Sequence, residues 1–174
     1  MLSIVKATAK DDQSIVAIGN VSVEEAHRGS CAANILQEYL DKHYNDLAIK
    51  EELENKKNIY HLIYVHEKAV GFSKIVLNAE HPNIPQKNVT KLDRIYLLKE
   101  YHHLKLGYEL LKFNVELAKQ NKQAGIWLFT WVGNTKAVNF YNRNGFSIIG
   151  SHQFKVTDTH YNENYQMYLN LTGE

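Results

Sequence analysis

The chain has 174 residues and a mass of 20.1 kDa, enough for one domain that buries roughly 70% of the surface its unfolded form exposes. Twenty Lys and Arg stand against 19 Asp and Glu for a formal charge of +1, with the signs interspersed, which removes the electrostatic case for a nucleic-acid binder. The lone Cys31 excludes an intrachain disulfide and a zinc site built on several cysteines and points to a reducing, cytoplasmic setting, while only 9 Gly and 2 Pro argue against a linker-rich or disordered chain.

Met1 to Lys6 has no basic segment followed by a sustained apolar run, so no signal peptide is expected. The longest strongly apolar stretch, Ile126 to Val132, is far short of the roughly 20 residues a bilayer span needs. Without repeats, low-complexity tracts or shifts in composition, residues 1–174 read as a single domain. Thr8 followed three residues later by Asp11 fits a helix-start box, in which the hydroxyl accepts a backbone N–H and the carboxylate favours the positive helix end. A helix from about Ala9 to His27 follows. Ile35, Leu36, Tyr39, Leu40, His43 and Tyr44 recur at helical spacing, then Leu47, Ile49 and Leu53, which predicts a second, broken helical region.

From Ile59 to Val65 the chain turns β-branched and aromatic, and His66-Glu67-Lys68 is a polar turn, predicting a hairpin whose second strand is Val70 to Asn78. Pro82 and Pro85 make Glu80 to Asn88 a loop. A strand is expected over Val89 to Leu98. An amphipathic helix is expected over Lys105 to Asn121, where Leu106, Leu110, Leu111, Phe113, Val115, Leu117 and Ala118 recur every three or four positions. Gly125 to Trp131 reads as a strand covered on both faces. A short helix, Thr135 to Arg143, ends at Asn144-Gly145, with Gly145 suited to a left-handed cap. Two strands, Phe146 to Lys155 and Asn164 to Leu171, close the chain. This order gives a mixed α/β sheet.

The segment richest in chemical signal runs from Leu92-Asp93-Arg94-Ile95-Tyr96-Leu97-Leu98 to His102-His103-Leu104-Lys105-Leu106-Gly107-Tyr108. A strand that turns tightly into a helix N-terminus aims unpaired N–H groups and the positive end of the helix dipole at one spot, which suits phosphate. Farther on stands Asn134-x-x-Ala137-x-x-Phe140-Tyr141-x-x-x-Gly145-Phe146 after an apolar strand. In family order and spacing, these two segments resemble the two signatures of the GNAT N-acetyltransferases. Arg94-Ile95-Tyr96, Ile126-Trp127-Leu128 with Trp131, and Ala137-x-x-Phe140-Tyr141 further resemble the polyamine acetyltransferases of PaiA type, as does the hairpin Ile63 to Glu67 with Gly71.

The resemblance implies the GNAT acyl-CoA N-acyltransferase fold: a mixed, mostly antiparallel sheet of six to seven strands flanked by helices, with two parallel strands splayed at the cofactor site. It implies acetyl-CoA as cosubstrate, with the thioester near Ile95, Tyr96 and Leu97 and the pyrophosphate on His102, His103, Leu104, Lys105, Leu106, Gly107 and Tyr108. An amine then attacks the acetyl carbon directly; polyamines such as spermidine or spermine come first, and another small amine or a protein amino group is the alternative. A weakly active acyl-CoA-binding regulatory module is the reading from a different class. It is kept open by Lys105, which stands where the family usually has Gly, as His102 stands where it has Gln or Arg. A side chain at 105 crowds the pyrophosphate or resists a positive φ, or else brings an ammonium to the phosphate oxygens.

Tyr141 matches the family tyrosine that protonates the departing thiolate, against a purely structural reading as a buried aromatic. Asn134 matches a residue near the cofactor and equally fits a helix cap. Asp93, where polyamine acetyltransferases carry an acid, either attracts the ammonium and takes its proton or is a solvated strand residue paired with a lysine. Glu24, Glu25, Glu38 and Asp41 are further acids for a polycation, or ordinary solvated residues. His102 and His103 fall in the phosphate turn, where a backbone role outweighs that of a base. No metal is expected, since the nine histidines show no ligand spacing. Trp127 and Trp131 read as core, with Trp131 near enough the strand end to line the acceptor site, and Cys31 falls in the loop bordering it. The partners expected are acetyl-CoA and a small amine, with no nucleic acid or membrane; a homodimer is left open.

Overall fold

The computed structural model describes residues 1–173. Its core is one seven-stranded sheet in the order β1-β2-β3-β4-β5-β7-β6, built from β1 (Leu2–Lys6), β2 (Ile59–Val65), β3 (Lys68–Val76), β4 (Val89–Leu97), β5 (Gly125–Trp131), β6 (Ser147–Thr157) and β7 (His160–Asn170). All neighbouring pairs are antiparallel except β4 and β5. β1 falls outside the sequence expectation: it is an edge strand whose Leu2 and Val5 stay exposed, so burial leaves no alternating pattern to read.

The helices divide between the two faces. Thr8 builds the expected capping box with Asp11, its N–H donating to Asp11 Oδ2 at 2.7 Å, but the box opens a 3-10 turn (Ala9–Asp11) before α1 (Asp12–His27) begins. α1, α2 (Ala33–His43) and α3 (Asp46–Glu54) bury Ile15, Ile18, Leu36, Leu40 and Ile49 against Tyr60, Leu62 and Phe72 of β2 and β3. The expected broken helical region is thus two helices, parted where the Asn45 carboxamide caps α3 by accepting from the Ala48 N–H at 2.9 Å. On the other face, α4 (Leu106–Gln120) and α5 (Thr135–Arg143) pack Leu111, Ala118 and Tyr141 against Ile75, Ile126, Leu128 and Met167. Gly145 takes the left-handed conformation its position requires, at φ +88°.

Two irregularities shape the centre of the sheet. The β3–β4 register slips so that Ile75 faces Leu92 while Lys74 faces Arg94, leaving Asp93 as an extra residue that bulges β4. The parallel pairing of β4 and β5 ends at Lys91 and Trp127, and past those residues the strands are no longer joined. Among the described residues no helix is long and apolar enough to cross a membrane.

Candidate active site

Where β4 and β5 part, a cleft of about 1000 Å³ opens between the helices of the two faces. One end is the phosphate turn. After Leu97 the chain makes a 3-10 turn (Lys99–Leu104), and Lys105 then takes φ +58° and ψ +20° to start α4. A non-glycine residue can adopt this conformation at modest cost, so the lysine fits a glycine-type turn. The N–H groups of Leu106 and Gly107 find no backbone acceptor among the described residues, as expected at a helix start. A Cβ on Gly107 would approach Leu97 Cδ1 at 3.3 Å and Phe140 at 3.9 Å, so the glycine keeps this passage open.

Of the residues expected at the phosphates, His102, Lys105, Gly107 and Tyr108 line the cleft. His103 and Leu104 are exposed without lining it, and Leu106 is buried in the core. His102 Nε2 lies 3.0 Å from the Leu97 carbonyl and Nδ1 lies 3.1 Å from Lys136 Nζ. A carbonyl can only accept and an ammonium only donate, so both contacts are made together by the tautomer that carries its proton on Nε2. The ring therefore ties the turn to α5 and steadies the Lys136 ammonium at the cleft.

In the middle of the cleft, Ile95, Tyr96 and Leu97 run along one wall and Tyr141 faces it from α5. Tyr141 is 7% exposed, in edge contact with Phe140 and Phe146, and burial pushes its phenol well above the ordinary tyrosine range, so it holds its proton at neutral pH. The Asn134 carboxamide accepts from the Ala137 N–H at 3.1 Å, capping α5, and Asn134 also lines the cleft. The two roles proposed for it are compatible. Trp131 lines the cleft beside His27, while Trp127 is core, its indole N–H donating to the Ala79 carbonyl at 2.7 Å. Cys31 is half-buried against the α1–α3 core and is not among the lining residues.

His27, at the end of α1, carries no signal readable from sequence. Its Nε2 lies 3.2 Å from the Tyr96 hydroxyl, and burial pulls the imidazole down to about 4, so it is neutral at physiological pH.

The other end of the cleft is a charged network assembled from four elements, α3, β2, β3 and β4. Lys74 Nζ of β3 bridges Glu52 of α3 at 2.8 Å and Asp93 of β4 at 2.9 Å. Lys91 Nζ meets Asp93 at 2.8 Å. Arg94 donates to Glu52 at 3.1 Å and to the Tyr60 hydroxyl at 2.8 Å, while Tyr60 donates to Glu52 at 2.6 Å. Burial alone would raise the Asp93 carboxyl, but the Lys91 and Lys74 ammoniums outweigh it and hold the group far below the usual carboxylate range. Glu52 is likewise lowered, its burial offset by Arg94 and by hydrogen bonds from Lys74 and Tyr60. Asp93 is thus a strand residue paired with lysines, as one of its two readings held, though half-buried and paired twice. Of the four helix acids, Glu25 alone lines the cleft; Glu24 is tied to Arg28 at 2.6 Å, and Asp41 accepts from Gln37.

A family model described as the Acetyltransferase (GNAT) family matches residues 30–146. The chain belongs to that GNAT acetyltransferase family. The splayed β4–β5 pair is the fold's expected cofactor site, and the chain is an N-acetyltransferase with acetyl-CoA as its cosubstrate. Among curated proteins it is similar to an uncharacterized N-acetyltransferase in the pepI 3' region of Lactobacillus delbrueckii subsp. lactis, 24% identical over 90% of this chain and 91% of that one. It is also similar to spermidine N(1)-acetyltransferase of Thermoplasma acidophilum, 23% identical over 84% and 89%. Among solved structures it shares its fold with the PaiA N-acetyltransferase of Thermoplasma acidophilum in complex with coenzyme A, at a TM-score of 0.78 and 19% identity over 98% of this chain and 99% of that one. An N-acetyltransferase of Staphylococcus aureus Mu50 follows at 0.74 and 17%, over 98% of both chains.

The turn fits the phosphates of this GNAT chain's cosubstrate: unpaired N–H groups at the start of α4, an open passage at Gly107, and the ammoniums of Lys99, Lys105 and Lys136 around them. Among the described residues no group of three His, Cys, Asp or Glu side chains is placed to share a metal ion.

Proposed function

We propose that the chain, as a single cytoplasmic domain, acetylates a primary amine by direct attack on the acetyl carbon. The observation that carries this reading is the parting of β4 from β5 beyond Lys91 and Trp127, which opens one continuous cleft from the phosphate turn past Tyr141 to the Glu52–Lys74–Asp93 network. Bound acetyl-CoA supplies the activated acyl group. Lys105 to Tyr108, with Lys136 held by His102, anchor its phosphates, and the backbone from Ile95 to Leu97 orients the thioester. Tyr141 holds a phenolic proton facing the scissile region and donates it toward the sulfur as negative charge develops there. Asp93 has too little proton affinity to deprotonate an ammonium, because two lysines stabilise its charged form. It orders Lys74 and Lys91 instead, and the ammonium proton leaves to solvent before the amine attacks.

A polyamine acceptor is the second reading, favoured by the likeness to the spermidine enzyme of Thermoplasma acidophilum. A polycation is best held by several free carboxylates along a groove, and here Glu25 is the one lining acid outside the ion-paired network. The test is release of free CoA thiol from acetyl-CoA by the purified chain on addition of primary amines. Release with an amine and none without it supports transfer; no release with any primary amine, in protein shown to bind CoA, overturns it.

A further inference from the structure

Charge in the network at this end of the cleft does not balance. Each carboxylate oxygen of Glu52 and Asp93 already meets a cation: Glu52 Oε1 meets Arg94 and Oε2 meets Lys74, while Asp93 Oδ1 meets Lys91 and Oδ2 meets Lys74. Three cations share two carboxylates. The surplus is not on the open surface, since the side chains of Lys74 and Arg94 are each 10% exposed and that of Lys91 is 29% exposed. Each cation is paired, yet the network keeps one net positive charge away from open solvent, and an anion arriving from solvent relieves that cost. Lys91 is the accessible member: its ammonium lies over the Trp127 and Phe129 rings at 5.3 and 5.7 Å, so it is held in place against the cleft wall. Nine Lys and Arg side chains line the cleft against three carboxylates; two of the nine, Arg28 and Lys155, are paired with Glu24 and Asp158 outside it, which leaves seven against three.

A second observation lies on the β7 wall. Asn164, 6% exposed and in register with Trp131, lines the cleft, and its Oδ1 has no hydrogen-bond partner. Buried carboxamides are normally satisfied; this oxygen lies just beneath the cleft wall with almost no accessible surface, so a ligand N–H reaches it only if the Asn164 side chain turns toward the cleft. The cleft therefore has an unsatisfied acceptor beneath its β7 wall and a surplus of positive charge in the network beside β4.

We infer that the acceptor of this enzyme is a primary amine that also carries an anionic group, a carboxylate or a phosphate, seated by Lys91 with Lys74 and Arg94 behind it. The inference rests on the acetyl-transfer reading and narrows its substrate class. A strand rises about 3.3 Å per residue, and Lys91 stands four residues before Ile95 with a bulge between them, so roughly 10 Å of strand, shortened by the reach of the lysine side chain, separates amine from anion. Reaction then joins the amine nitrogen to the acetyl carbon and breaks the C–S bond. The amine proton leaves to solvent, the thiolate takes a proton, and the anionic group is unchanged.

The experiment is CoA release at low ionic strength with four kinds of acceptor: a series of ω-amino carboxylates, phosphoethanolamine, alkylamines of matching length, and spermidine. A carboxylate or phosphate hydrogen-bonded to part-buried ammoniums should raise kcat/KM over the matching alkylamine by roughly tenfold or more, and the advantage should shrink with salt. The carboxylate and phosphate arms show which anion is taken. Lys91→Met should collapse the ratio of anionic to neutral amine. Asp93→Asn, which frees two lysines, should lower KM for the anionic amine; the polyamine reading expects the same substitution to impair spermidine. Alkylamines or spermidine used as well as the anionic amines would overturn the inference and leave acetyl transfer standing. Absence of release with every amine would instead remove the acetyl-transfer reading. Calorimetric titration of the CoA-bound protein with an amino carboxylate and with phosphoethanolamine reads the subsite without turnover: binding that weakens in Lys91→Met supports it, and no binding of either overturns it.

Discussion

Tyr141 combines two properties that a proton donor to a leaving thiolate needs. It faces the cleft opposite the β4 wall, and it is packed tightly enough that its phenol stays protonated. Tyr141→Phe removes one oxygen and keeps the ring against Phe140 and Phe146, so folding and CoA affinity should be preserved while kcat falls roughly ten- to ten-thousandfold. An unchanged kcat would show that water protonates the sulfur. Lys74 presents the opposite case, a residue whose loss is felt first in stability. It is 8% exposed and holds two half-buried carboxylates apart. Lys74→Met leaves Glu52 and Asp93 with one cation each and less compensation, which should cost on the order of 3 kcal/mol by urea denaturation. A cost under about 1 kcal/mol would mean that Lys91 and Arg94 suffice.

At the scale of the element, the phosphate turn is the part of the site most legible in sequence, because a strand, a tight turn and a helix start are consecutive in the chain. What sequence left open there was the effect of Lys105. The structure answers its conformational half: the lysine accepts φ +58°, so a side chain at this position does not forbid the turn. Lys105→Gly should therefore preserve CoA binding if the backbone alone holds the phosphates, and weaken it if the Lys105 ammonium contributes. Lys136→Met should weaken CoA by several-fold, the value of an exposed phosphate contact, and should affect pantetheine, which has no pyrophosphate or nucleotide, much less. Equal loss for both ligands in calorimetry would place Lys136 away from the phosphates. The charged network was not legible in this way. Glu52, Lys74 and Asp93 sit on α3, β3 and β4, and they meet only because the bulge at Asp93 shifts the β3–β4 register, a tertiary feature that no periodicity reports. β1 was missed for a related reason: an exposed edge strand has no buried face to imprint alternation.

Across the whole molecule, burial of two histidines couples stability to pH. Burial holds His27 and His61 at about 4, against about 6.5 in an unfolded chain. Between those values the unfolded state binds protons that the folded state does not, so stability is complete above about pH 6.5 and declines as pH falls toward 4. Each unit of difference corresponds to about 1.4 kcal/mol per group. With His27 only partly screened from solvent, the two together should give a loss on the order of 2–5 kcal/mol. Glu52 and Asp93, both lowered by their cationic neighbours, extend the decline below about pH 4, where an unfolded chain protonates its carboxylates and the folded one resists. Urea denaturation at pH 7, 5.5 and 4.5 should show the midpoint dropping steadily. In the double variant His27→Gln, His61→Gln the profile above pH 4.5 should become shallower, because neither site then takes up a proton in the unfolded state; a residual slope from His43 and His81, which burial also lowers, and the carboxylate-driven fall at lower pH should remain. His61 packs edge-on against the Phe113 ring at 4.7 Å, so part of the variant's effect is lost packing that is independent of pH; the slope, not the absolute stability, carries the test. A wild-type midpoint that stays level from pH 7 to 4.5 would show that both imidazoles are hydrated and titrate normally in the folded chain.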